Sequence, residues 1–371
     1  RLNLRPDIVH CHDWQAGLIP AYMDARLGNY HWMQSAVSVM TIHNLAYQGR
    51  FWHLDMPLTG LDWKYFNWEQ LEYYGDLNLM KSGLVFADSL TTVSPTYAKE
   101  ILRPEHGCGL DSILLNRKSD LIGIVNGVDY RQWNPADDPH LVANYDVQSW
   151  QTGKAECKQA LQNELGLEQV PNVPLIGIVS RLAGQKGWDL IIPLLRRWLP
   201  RQDVQWAVLG TDEKKYEEEL QNLAAMYPGK IASVLGFSES LAHRIEAASD
   251  LFLMPSRYEP CGLNQLYSLK YGCVPVVHAT GGLVDTVVPT TEQTLQQGEA
   301  TGFVFDDFSD QGLEKALLEA LDFYHHRRQQ WSQIVTSGML GDWSWQKSAH
   351  KYRDLYLETI RRKNRKLAAV S

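Results

Sequence analysis

The sequence has 371 residues, 44% of them apolar and 21% charged, with a formal net charge of −8. That length exceeds what one hydrophobic core usually serves, so two domains are expected, and the balance excludes disordered and fibrous classes. The negative charge, broken only by the short run Arg361-Arg362-Lys363-Asn364-Arg365-Lys366, argues against nucleic acid as a partner, and no apolar run approaches the roughly 20 residues of a membrane helix.

The chain opens on Arg1 with no charged and apolar regions of a signal peptide, so it reads as truncated at its start. Four strands follow in the first part: DIVHCH from 7, AVSVMTIHN from 36, SLTTVS from 89 and LIGIVNG from 121. Four are too few for a complete doubly wound domain, which makes this half an incomplete one. Asn134-Pro135, Asp138-Pro139 and Pro171-Asn172-Val173-Pro174 then mark a linker, with one helix over 154–165.

From Pro174 onward six short β-branched runs alternate with helical patterns. The strands begin near 174, 204, 231, 251, 274 and 302, with helices expected over 188–198, 213–227, 241–248, 263–271 and 311–323. Alternation of this kind gives a parallel, doubly wound α/β sheet. Trp345, Ala349, Tyr352, Leu355 and Thr359 recur at helical spacing and predict a closing helix. The expected division is 1–140 for the first domain, 141–173 for the linker, 174–342 for the second domain and 343–366 for the closing helix.

Five cysteines, Cys11, Cys108, Cys157, Cys261 and Cys273, are an odd number without CxxC spacing, which suits a reducing compartment and neither a disulfide framework nor a zinc site. Thirteen Trp and seventeen Tyr would suit flat sugar rings, although large aromatics also serve as core.

In open α/β sheets ligands bind beyond the carboxyl ends of the strands, so the loops there carry the candidate chemistry. Arg181 and Lys186 stand five residues apart after the strand at 174, able to grip a diphosphate or to be two solvated surface cations. Glu259, in Pro255-Ser256-Arg257-Tyr258-Glu259-Pro260-Cys261-Gly262-Leu263, is a ligand group or a helix cap. Thr280-Gly281-Gly282 precede a helix and offer amides to phosphate or make a plain turn. His10-Cys11-His12-Asp13-Trp14, His43 to Gly49 and Asn126-Gly127-Val128-Asp129 each follow a strand of the first half. No Asp-x-Asp accompanies them to hold a metal on a sugar nucleotide, so no metal and no cofactor are expected.

HCHDWQAGL, TIHNLAYQG, VSPTYAKE, GIVNGVD, SRLAGQKG, PSRYEPCGLNQLYSLKYG and HATGGLVDTV, in this order between about Arg5 and Tyr356, resemble the signatures of bacterial glycogen synthases and plant starch synthases. The resemblance implies the GT-B fold, two Rossmann-like domains with an interdomain cleft, and retaining transfer of glucose from ADP-glucose to an α-1,4-glucan. It implies that Arg181 and Lys186 stabilise the leaving diphosphate and that Glu259 faces the transferred glucose. Amides at Cys261, Gly262 and Leu263 would hold sugar hydroxyls, those at Gly281 and Gly282, beside Thr280, would meet phosphate, and Phe237 would pack on the base. His43 and Asn126 would line the glucose pocket, with Asp13 on the acceptor side. The family's Lys-x-Gly-Gly-Leu loop would precede Arg1, and Gln15 stands where many relatives have His. Such an enzyme works in the cytoplasm of a bacterium or cyanobacterium, or in a plastid. The alternatives are a glucan-binding fragment without turnover, or the same fold serving a sugar-nucleotide epimerase or a sucrose-forming transferase.

Overall fold

The structure is a computed structural model that describes residues 5–25 and 32–370. The chain divides into two compact units, one made of Arg1–Asn126 with Gln346–Ser371, the other of Gly127–Trp345.

In the first unit the described strands are β1 (Ile8–His12), β2 (Val37–Ile42), β3 (Arg50–Trp52), β4 (Glu72–Tyr73), β5 (Asp76–Asn78), β6 (Ser89–Thr92) and β7 (Leu121–Gly123). The four expected strands form one parallel sheet in the order β1-β2-β6-β7. All six residues of β2 are buried, as a strand covered on both faces requires. The sequence reading missed the antiparallel sheet β3-β5-β4, whose strands of two or three residues are too short for any periodicity to show.

The closing helix, Trp345–Val370, belongs from Gln346 onward to this first unit. Its Tyr356 hydroxyl meets His10 Nδ1 at 2.7 Å, Thr359 Oγ1 meets Ser89 Oγ at 2.8 Å, and Arg362 Nη1 donates to Asp120 Oδ1 at 2.7 Å. These contacts are spread over about two turns of the helix.

The second unit carries β8 (Leu175–Val179), β9 (Gln205–Gly210), β10 (Ile231–Leu235), β11 (Leu251–Met254), β12 (Val274–His278) and β13 (Phe303–Phe305), all parallel, in the order β10-β9-β8-β11-β12-β13. This is the doubly wound order, reversing direction between β8 and β11. The helices Trp188–Trp198, Lys214–Met226, Asn264–Lys270 and Asp310–His326 lie where expected to within three residues. Glu239–Ala248 starts two residues early because the Ser238 hydroxyl accepts from Leu241 N–H and caps it. The helix Trp150–Leu165 starts four residues earlier than its pattern suggested.

The expected boundary at 140 and the linker at 141–173 differ from this division, because 127–173 are packed into the second unit. The Trp133 ring stacks on His243 at 3.7 Å and on Tyr267 at 3.9 Å between centroids. Buried Tyr145 donates to the Tyr271 carbonyl at 2.8 Å, and Lys158 pairs with Asp250 at 2.7 Å. A buried ammonium needs such partners, so Lys158 fixes its helix against β11.

Candidate active site

The turning point of the second sheet, between β8 and β11, is where a doubly wound fold binds ligand, and the loops after these two strands are joined by several bonds. Arg257 N–H donates to the Gln185 carbonyl at 2.8 Å and Gln185 Nε2 to the Tyr258 carbonyl at 3.2 Å. Gly187 makes the approach possible. Its φ is +79°, and a Cβ there would lie 2.1 Å from the Pro255 carbonyl oxygen. The indole of buried Trp188 donates to the Arg181 carbonyl at 3.0 Å, so the start of the following helix anchors the loop from beneath.

Lys186 and Glu259 are thereby brought together: Nζ lies 2.6 Å from Oε2, with side chains 20% and 8% exposed. Ser256 Oγ donates to the same carboxylate oxygen at 2.9 Å. Glu259 is thus no helix cap, since the next helix starts only at Asn264. Arg181, half exposed, pairs with Asp212 at 3.2 Å and donates to Gln185 Oε1 at 2.7 Å. A pocket of about 260 Å³ is lined by Arg181, Lys186, Ser256, Glu259, Gly262, Leu263 and Asn264 together with the ends of β8 and β11. In this structure both expected diphosphate cations are matched by carboxylates, so an anionic ligand must compete with Glu259 and Asp212 for them.

Behind this pocket, Gly281 and Gly282 form the first turn of the helix Gly281–Thr286, with buried Thr280 as its N-cap, rather than preceding it. A Cβ at Gly281 would come within 2.0 Å of the Glu259 carbonyl oxygen, and one at Gly282 within 2.0 Å of that of Cys261. Gly282 N–H donates to the Glu259 carbonyl at 3.0 Å. In this structure the Gly282 amide, expected to meet phosphate, holds the Glu259 backbone. Cys261 is buried in the same segment. Phe237, after β10, is 92% exposed and does not line the pocket.

In the first unit Asp13 and His43 are brought together. Asp13 Oδ1 accepts from His43 N–H at 2.8 Å, while Asp13 itself holds φ +55°, an uncommon conformation for a residue with a Cβ. The acid positions the His43 loop. His43 Nε2 lies 3.0 Å from His12 Nδ1, and the His10 ring lies 4.2 Å from that of His12. Burial first, then the neighbouring His12 and His43, push His10 down to about 4, and His12 is lowered too, mainly by burial. Sequence reading named His43 but missed His12 as its partner, although His12 ends β1 at the position paired with Thr41 of β2. Asn126 closes the first unit, half-buried.

Comparison with known proteins shows the family and the fold. Residues 1–116 match the starch synthase catalytic domain family and residues 166–335 the group 1 glycosyl transferases. Glycogen synthase of Rhodopirellula baltica is 50% identical over 97% of this chain and 71% of its own, and glycogen synthase 2 of Geobacter sulfurreducens 48% over 96% and 72%. The catalytic domain of starch synthase IV from Arabidopsis thaliana, bound to ADP and acarbose, superposes with a TM-score of 0.89 at 36% identity, covering 96% of this chain and 73% of that one. Sucrose-phosphate synthase from Thermosynechococcus elongatus, at 17% identity and a TM-score of 0.59, shares the GT-B fold.

Proposed function

The chain belongs to the glycogen and starch synthases, glucosyltransferases that elongate an α-glucan, and from that premise we propose that the pocket between β8 and β11 holds the diphosphate and glucose of ADP-glucose. The observation that carries this reading is the Lys186–Glu259 contact at 2.6 Å with Arg181 in the same pocket wall.

Cleavage of the bond from glucose C1 to phosphate leaves charge on the departing diphosphate. Arg181 and Lys186, exchanging their carboxylate partners for phosphate oxygens, stabilise that charge as it develops. Released from Lys186, Glu259 is free to accept from glucose hydroxyls, with the amides of Gly262 and Leu263 beside it. The acceptor 4-hydroxyl attacks C1 from the face the diphosphate leaves, its proton passing to the departing phosphate oxygen, so the α configuration is retained. His43, Asp13 and Asn126 serve the glucose and acceptor side, and Phe237 meets the base. Charge compensation is supplied by side chains, so no metal takes part.

Incorporation of labelled glucose into glycogen, from ADP-glucose and from UDP-glucose, with and without a chelator, tests the reading. Transfer from ADP-glucose that ignores the chelator supports it. Transfer from UDP-glucose alone, or abolished by the chelator, contradicts it.

A further inference from the structure

Some of the largest side chains of the first unit stand in solvent: Trp52, Trp68 and Tyr74 are 60%, 75% and 83% exposed. Large aromatics grouped on a surface mark a binding face. Tyr74 is there against its backbone preference. It and Gly75 form the two-residue turn between β4 and β5 with φ +49° and +85°, a turn that normally takes Asn-Gly. Keeping a tyrosine in that conformation strains the backbone in exchange for a projecting ring.

The platform under these rings is stiff. The Lys81 ammonium donates to the carbonyls of Trp68 and Glu72, both at 2.5 Å, and Gly75 N–H donates to Glu72 Oε1 at 2.7 Å. Trp68, Tyr73 and Tyr74 line a groove of about 630 Å³ together with the polar groups of Glu69 and Asn116. Tyr73 also lines a neighbouring hollow of about 530 Å³ that contains Trp14, the residue after Asp13. Two hollows that share Tyr73 therefore carry the rings of Trp14 on one side and of Trp68 and Tyr74 on the other.

We propose that these two hollows together are a glucan groove, holding glucose units of the acceptor chain well behind its reacting end; the acceptor's identity rests on the function proposed above. Flat C–H faces of glucose suit rings separated by polar groups, and carboxylate and amide side chains suit its hydroxyls.

Gel retardation by glycogen tests this without requiring turnover. Trp68→Ala truncates an exposed ring, and Tyr74→Asn removes the other while giving the turn a residue it favours, so the fold is kept. Each is expected to weaken glycogen binding about two- to tenfold, the size of one aromatic contact. The KM for glycogen should rise by the same factor, relative to that for a three-glucose acceptor. Undiminished retardation in both variants overturns the proposal, including the case in which the parent self-associates and both variants are monomeric, which makes the face a self-association surface. Weakened retardation in a protein that transfers no glucose supports the groove and removes the catalytic reading alone.

Discussion

The Lys186 ammonium and the Glu259 carboxylate, 73 positions apart in the chain, lie 2.6 Å from each other. One is 20% exposed and the other 8%, so each is the main compensation for the other's lost water. Removing Glu259 strands a poorly solvated cation. Glu259→Ala should lower stability by about 3 kcal/mol, the lower end for broken buried pairs, and Glu259→Gln by less because an acceptor remains. Chemical denaturation of both variants checks the order, and equal losses would mean that the charge of Glu259 is irrelevant to the fold.

Gly187 tests how the two loops meet. Alanine there faces both φ +79° and a contact of 2.1 Å with the Pro255 carbonyl. Gly60, at φ +71° with nothing within 4 Å, provides the control. Gly60→Ala is expected to cost about 1–2 kcal/mol from backbone conformation alone, and Gly187→Ala distinctly more, with turnover falling as Lys186 moves. Similar melting temperatures for the two variants would refute the close approach.

Phe237 carries no packing in this structure, being 92% exposed. If it meets the base of the donor, Phe237→Ala raises the KM for ADP-glucose about two- to tenfold, the worth of one aromatic stack, and leaves the melting temperature unchanged. A shifted melting temperature with an unchanged KM would assign it to structure instead.

His10 gives the first unit a dependence on pH. Its pKa is pushed from an ordinary 6.5 to about 4, so between these values the unfolded chain binds a proton that the folded one refuses. Its stabilising effect is full above about pH 6.5 and is lost as pH falls through 4. His10→Gln, which can still bond Tyr356 and Thr41, should flatten the melting-temperature profile over that window relative to the parent. Parallel profiles would show that His10 does not titrate as assigned.

The sheets were legible because strands covered on both faces read as continuous apolar runs, as in Leu251–Met254 and Val274–His278. Arg181, Lys186 and Glu259 were legible as loop residues at strand ends. Their pairing was not, since no local pattern records a contact across 73 residues. At Gly281 and Gly282 a glycine required by a neighbouring carbonyl is indistinguishable in sequence from one required by a ligand, so the close approach to the backbone of Glu259 and Cys261 was not legible. The Tyr74-Gly75 turn was not legible, since tyrosine is not the residue its backbone favours and the strands beside it are too short for any periodic pattern.

The most direct test of the central claim, that the Lys186 pocket serves the leaving diphosphate, is the turnover of Lys186→Ala with ADP-glucose and glycogen, measured alongside its melting temperature. The account predicts a fall in kcat of about two to three powers of ten in a protein that still folds. Parental kcat in the folded variant would contradict it.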